Sequence, residues 1–402
     1  MRTWLEKAGF DPRFTSLVLA LAIIWIALAI ATDGIFLTPR NLYNLSIQTC
    51  VTAIMSCGMV YLIVARQIDL SVGSLMAFTG MVIAYAQTRW LGIEAPFGWL
   101  VSIGLGMAAG MILGAFQGWW TAYRELPAFL VTLAGYLMFR GAAFLVADGQ
   151  TLAPLSSVYQ SIGGGVHGSI GTEWSWTLGA IACAWVVGLA IYARRSRARY
   201  NAAMVPLWAD ALKAIVTCAA LLAFVAVVCA YPDPVSASAS GAPEGKGIGV
   251  PVLILIAIAV LLTAVATRTR FGRHVFAYGG NPEAAFLSGL RTKRVVMTLF
   301  ILMGALSAIA AVITTSRLNS GTHSIGQMAE LYVIAATVIG GTSFAGGVGT
   351  IPGAIVGALM IQSLDNGMVL MDVSSAERQV FIGLILIAAV WLDAMYTRRQ
   401  AR

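Results

Sequence analysis

Apolar residues in this 402-residue chain do not alternate with polar ones; they run in blocks divided by short polar or glycine-rich breaks. Most blocks are close to the roughly 20 residues that a helix needs to cross a bilayer. They predict helices at 15–32, 42–65, 71–87, 98–122, 127–146 and 174–193, then at 214–230, 250–267, 295–315, 329–341, 351–371 and 381–396. The short alternating segments of a membrane barrel are absent. The expected fold is all-α, a polytopic membrane protein of about twelve transmembrane helices forming a single domain over 1–402.

Composition supports this reading. Hydrophobic residues make up 59% of the chain and charged ones only 10%, with a mean hydropathy of +0.84. A soluble domain lacks the interior to hide so much apolar side chain. The first apolar run is long enough to span and has no small-residue cleavage motif after it, so it is expected to anchor the chain rather than leave as a signal peptide.

Charge then sets the expected orientation, because Lys and Arg accumulate on the cytoplasmic side. With both termini inside, 19 of the 25 Lys and Arg fall in cytoplasmic loops, five fall outside and Arg140 lies within a span. The net charge of +8 is read as topology and contact with anionic lipid. Nucleic-acid binding is not expected, since the cations are divided among separate short loops.

Chemistry is sparse. The cysteines Cys50, Cys57, Cys183, Cys218 and Cys229 sit in apolar runs without metal-ligand spacing and are read as core-packing residues. No phosphate-binding G-x-x-x-x-G-K-[ST] loop occurs, so any ATP must be handled by a partner. No cofactor, metal or catalytic residue is expected. The spans also lack the relay of Asp, Glu or His that an ion-coupled transporter needs. Glu330 opens one span, and Asp365 lies with Asn366 on the next, where both are candidates to face a wet cavity. His167 and His323 are read as surface loop residues, and the loops at 147–171 and 231–247 as variable segments with little fold information.

The polar interruption TRTRFGRHVFAYGGNPEAAFLSGLRTKRV at 267–295 is more structured than a connecting loop requires. After a break at Gly279 and Gly280, Asn281 and Pro282 are placed as N-cap and first residue of a short helix. Glu283 suits its first turn, Ala284, Ala285, Phe286, Leu287 and Leu290 continue it, and Ser288 with Gly289 is the expected terminator. Such an elbow, within the cytoplasmic loop 268–294, offers a rigid knob for a soluble motor to push; an ordinary interfacial helix is the alternative. A fainter echo links IDLSVGSLMAFTGM at 68–81 with GGTSFAGGVGTIPGAIVGAL at 340–359. Each places a polar turn before a glycine-containing helix, as duplicated halves with broken helices do and as close helix packing also demands.

At IDLSVGS, the elbow and ELYVIAATVIGGTSFAGGVGTIPGAIVGAL, the chain resembles the permease family of bacterial ATP-binding-cassette sugar importers, which includes ribose, arabinose and xylose permeases. Its length and the added segment at 214–230 are most similar to the xylose type. The resemblance implies a permease in the bacterial inner membrane that carries a monosaccharide by alternating access, with xylose first and ribose or arabinose as alternatives. It implies as partners a cytoplasmic ATPase subunit, a periplasmic sugar-binding protein and a second permease copy. The elbow becomes the coupling helix. Asp69 and Ser71 are read as helix N-capping residues, with a gate or solute contact as the alternative, and Glu330 as a residue that shapes the pathway, with an ordinary first-turn residue as the alternative. The family commonly carries a glycine pair before I-D-L-S, where this chain has Arg66 and Gln67. A self-sufficient secondary transporter is the rival reading.

Overall fold

A computed structural model describes residues 12–165, 168–200, 205–232 and 245–400. Every predicted span is helical. In chain order the helices are α1 (Pro12–Ala31), α2 (Pro39–Val64), α3 (Val72–Tyr85), α4 (Gly98–Ala122), α5 (Ala128–Leu145), α6 (Gly171–Arg199) and α7 (Leu207–Cys229). They continue with α8 (Val250–Arg268), α9 (Arg270–Gly280), α10 (Pro282–Leu287), α11 (Thr292–Leu318), α12 (Ala329–Ile339), α13 (Ile351–Leu370) and α14 (Ser375–Gln400).

Nine helices among the described residues are long and apolar enough to cross a membrane: α1, α2, α4, α5, α6, α7, α8, α11 and α13. The crossing predicted at 71–87 is α3, which runs on through a π-helical stretch, Ala86–Leu91. The one predicted at 329–341 is not a full span. With 11 residues and a rise of about 1.5 Å each, α12 covers roughly half of a 30 Å hydrocarbon core. Irregular backbone at 319–328 and 340–350 completes this part of the chain, a form tolerated at membrane depth only inside protein or beside a wet cavity.

Burial divides the helices. In α2, 89% of the crossing window is buried and in α11 67%, whereas α6 stands at 6% and α7 at 11%. The central pair form the core, and α6 with α7 lies at its margin. Asp210 on α7 pairs with Arg194 and Arg197 of α6, both at 3.3 Å. Cys50 and Cys57 are buried on α2, and Cys229, though partly covered, packs against the same core; Cys183 and Cys218 are only partly covered, so the core-packing expectation is corrected for those two. Most of the surface of these two helices is left uncovered by the rest of the chain.

Helix α4 meets α11 along a stripe of glycines at every fourth position. Side chains added at Gly110, Gly114 or Gly118 would run into the backbone of Gly304, Phe300 and Met297. In lipid there is little hydrophobic drive between helices, so close backbone approach supplies the attraction. Gly114→Val is expected to cost about 1–3 kcal/mol by overpacking. Loss of the cooperative melting transition in detergent, or a marked drop in midpoint, would register it; an unchanged melt would show that the helices can separate without penalty.

The segment 147–171 is also more than a variable loop. Leu152, Leu155 and Tyr159 are all buried, and Leu152 exchanges two backbone hydrogen bonds with Gly321, both 2.9 Å. The Tyr159 hydroxyl shares a 2.6 Å hydrogen bond with Thr315 on α11. Apolar residues spaced through a polar stretch here seal one end of the bundle. His167, predicted at the surface, lies outside the described residues, as does most of 231–247.

Candidate functional site: an elbow beside the junction of two helices

The elbow is built as two short helices. Thr269 caps α9 by accepting from the Gly272 amide at 3.2 Å, and α9 runs through Gly279 and Gly280 to its end. The expected glycine break is therefore corrected: these residues are helical, and the chain turns at Asn281, in extended backbone. Close approach explains the glycine, because a Cβ on Gly279 would clash with the Val64 carbonyl oxygen at the end of α2.

Asn281 Oδ1 then accepts from the Ala284 amide at 3.0 Å, and Pro282 opens α10 with Glu283 in its first turn. Ser288 follows as C-cap, and Gly289 takes a φ of 81°, the left-handed geometry that glycine adopts at helix ends. Ala285 faces inward and is buried, while Glu283, Ala284 and Ser288 are exposed. Phe286 and Leu287 stand out at 67% and 77% exposure, an apolar tip carried on a charged loop.

Behind the elbow, the segments singled out in the sequence converge. Arg66, at φ 59°, donates from Nε to the Gly279 carbonyl at 2.7 Å and from Nη2 to the Gly280 carbonyl at 3.0 Å. The Gly347 amide donates to the Val64 carbonyl at 2.9 Å, and Gly346 lies against the Arg66 side chain. The polar turn at 340–350 thus packs against the end of α9 and the end of α2. Beside this node a cleft of about 550 Å³ is lined by Arg66, Gln67, Tyr278, Glu125 and Lys293. Lys293 Nζ lies 2.8 Å from Glu125 and holds that carboxyl below its usual range.

Past Arg66 the chain reaches a buried polar turn. Asp69 Oδ1 accepts from the Ser71 amide at 2.8 Å and from the Ser71 hydroxyl at 2.6 Å. Gln117 of α4 donates from Nε2 to Ser71 Oγ at 2.8 Å. Ser71 holds the N-cap position of α3, yet its side chain makes no capping bond. The N-capping expectation is corrected here: the Ser71 hydroxyl is taken up by Asp69 and Gln117, so the turn is fastened across to α4.

Immediately beyond, α3 and α12 begin side by side. A Cβ on Gly73 would meet the Gly326 carbonyl and Glu330 Oε2, while Gly321 lies against Ala84 and Gly80 against Ile325. The segment 319–328 therefore runs antiparallel along α3, and α12 continues away from it. Arg140 of α5 holds this segment, donating to the carbonyls of His323 and Ile325 at 2.8 Å and of Gly326 at 3.2 Å. Glu330 is 7% exposed, and its Oε2 has no hydrogen-bond partner. His323 is not a simple surface residue, since its ring packs edge-on against Phe144 with centroids 5.2 Å apart.

The structure thus gathers Asp69, Ser71 and Glu330 around one junction. Asp365 and Asn366 lie apart from it as ties between helices. Asp365 accepts from Tyr332 at 3.2 Å and pairs with Arg378 at 3.0 Å; Asn366 exchanges hydrogen bonds with Asn41 at 2.9 and 3.1 Å. Gln117 was not singled out, although a lone amide within a glycine-striped helix was the available signal. No cluster of metal-ligating residues occurs among the described residues.

Comparison with known proteins completes the picture. Residues 41–390 match the family model described as branched-chain amino acid transport system / permease component. The xylose transport system permease protein of Haemophilus influenzae is 41% identical over 387 residues, 96% of each chain. Its Escherichia coli counterpart is 39% identical over 384 residues, 96% of this chain and 92% of the relative. The ribose import permease protein of Escherichia coli is 30% identical over 392 residues, 98% of this chain and 96% of the relative. No solved structure matches the chain significantly.

Proposed function

We propose that this chain, which belongs to the branched-chain amino acid transport system permease component family, is the membrane-spanning permease subunit of an ATP-driven xylose importer in the bacterial inner membrane. The observation that carries the sugar assignment is near full-length identity of 41% and 39% to xylose permeases, against 30% to a ribose permease. Carriage of a neutral, hydroxyl-rich solute fits a pathway region with few intramembrane charges. ATP hydrolysis belongs to a partner subunit, since this chain has no phosphate-binding loop.

The exposed tip of α10 supports docking to that ATPase, and the node behind it gives movement a route into the bundle. A periplasmic sugar-binding protein delivers the solute, and a second copy of the chain completes the pathway. Closing of the ATPase subunits then shifts the populations of outward-open and inward-open states. Removing this chain from its host should abolish high-affinity uptake of radiolabelled xylose, with unlabelled ribose competing poorly in the intact system. Undiminished xylose uptake, or equal competition by ribose, would overturn the assignment.

Orientation is tested separately. In a cysteine-free background, Pro282→Cys should react with a membrane-impermeant maleimide only in inverted vesicles, and Gln150→Cys only in intact spheroplasts. Labelling of position 282 from outside would reverse the proposed topology, in which both termini are cytoplasmic.

A further inference from the structure

We propose that Arg66 is a positioning residue, a latch that carries movement of the α9–α10 elbow to the Asp69–Ser71 turn and so to the junction of α3 and α12. The inference rests on the reading of the chain as a transporter driven through its elbow, and it adds the residue through which the drive passes.

Three observations carry it. Arg66 occupies left-handed backbone, a region glycine enters freely and a long side chain does not. Its side chain offsets that cost with a fork onto two successive carbonyls, Gly279 and Gly280. These are the final carbonyls of α9, where the helix dipole is negative and a cation binds most favourably. Charge-assisted bonds of this kind are short and directional, so the elbow cannot shift without pulling on Arg66.

The connection is also stiff. Gly279 presses on the Val64 carbonyl, and Gly346 fills the space against the Arg66 side chain. The Gly347 amide closes onto Val64 from a third direction. With no slack on these sides, displacement of the end of α9 is passed to the end of α2. Only Gln67 and Ile68 separate Arg66 from Asp69. Thr132 contacts the Ile68 carbonyl at 3.3 Å, and the Asp69–Ser71 turn is fixed to α4 through Gln117. A pull on Arg66 therefore arrives at a hydrogen-bonded turn beside Gly73 and Glu330.

The backbone geometry supplies a clean variant. Arg66→Gly removes the fork but relieves the left-handed backbone, so loss of the latch is separated from strain. Arg66→Lys keeps the charge but offers a single point in place of the two-pronged fork. Hydrogen exchange on the purified permease, which requires neither ATPase nor sugar, should show faster exchange in Arg66→Gly, by about tenfold, both at 281–290 and at 68–74. Xylose uptake by the assembled importer should fall by a similar factor while the ATPase still co-purifies, with Arg66→Lys between the two in both readouts.

Faster exchange at 281–290 with unchanged exchange at 68–74 would show that the elbow is not linked to the turn through Arg66, and would overturn the proposal. So would wild-type uptake in Arg66→Gly, or a general loss of exchange protection throughout the bundle in both variants, which would mark Arg66 as a folding residue. Failure of the transport reading looks different: the wild-type assembly itself would take up no xylose, whereas the exchange result on the isolated permease would stand.

Discussion

Ala284→Arg and Glu283→Lys should leave the permease folded and inserted while reducing ATP-dependent xylose uptake by about a hundredfold, the scale of an interface hot spot worth about 3 kcal/mol. Both residues are exposed on α10, away from the buried Ala285 that holds this helix to the body. The neighbouring Phe286 and Leu287 are the exposed large apolar residues of the elbow. In the proposed topology these large apolar side chains stand on a cytoplasmic loop already rich in charge, where a protein partner covers them best. At such a surface the small Ala284 permits close approach, and an arginine there introduces bulk and a charge that must be desolvated. Glu283→Lys also places a cation at a helix N-terminus, where the dipole disfavours it. Ala285→Arg serves as contrast, since it should unseat α10 itself and lower melting. Co-purification of the ATPase and uptake by the assembled complex check the result. Wild-type values of both in the two exposed-site variants would leave α10 as an ordinary interfacial helix.

The elbow was legible because its signals are local. Asn281, Pro282, Glu283 and Gly289 each act within four residues of their own position, through caps, ring geometry, dipole and left-handed backbone. The same holds for the long apolar runs, whose length alone names them as spans. What the sequence hid depends on residues far apart in the chain. The polar run Asn319 to Ser324 falls between two predicted spans, yet the segment it opens lies along α3, with the carbonyls of His323 and Ile325 satisfied by Arg140, more than 180 residues earlier. Hydropathy then counts α12 as a full crossing, although the helix is too short for one. Gly279 and Gly280 read as a break because glycine has two uses; the demand at Gly279 is the proximity of Val64, which only tertiary structure reveals. Arg66 stood out as a departure from the family pattern, but its target on α9 lies over 210 residues away.

Replacement of Arg140 by leucine should be among the most damaging single changes in the bundle. Three carbonyls at 323–326 depend on this guanidinium, and water is not available throughout a membrane interior to take its place. Hydrogen bonds to a charged group contribute about 1.5–3 kcal/mol each, and because the carbonyls share one donor group the total is not additive; a loss of about 3–5 kcal/mol follows, the scale of breaking a buried charge network. The damage extends to Glu330. This carboxyl and Arg140 approach the same residue, Gly326, one through Gly73 and the other by a direct bond. Without the arginine the buried acid has no compensating cation close by. Glu330→Gln in the Arg140→Leu background should therefore recover part of the lost melting temperature, even though Glu330→Gln alone gives little or no gain. Such a sign of coupling distinguishes charge compensation from simple loss of packing, for which the two substitutions would add. Thermal melting of the four proteins in detergent measures the cycle. Strict additivity, or wild-type stability of Arg140→Leu, would mean that the 319–328 segment is held in place by its neighbours on α3 rather than by the arginine.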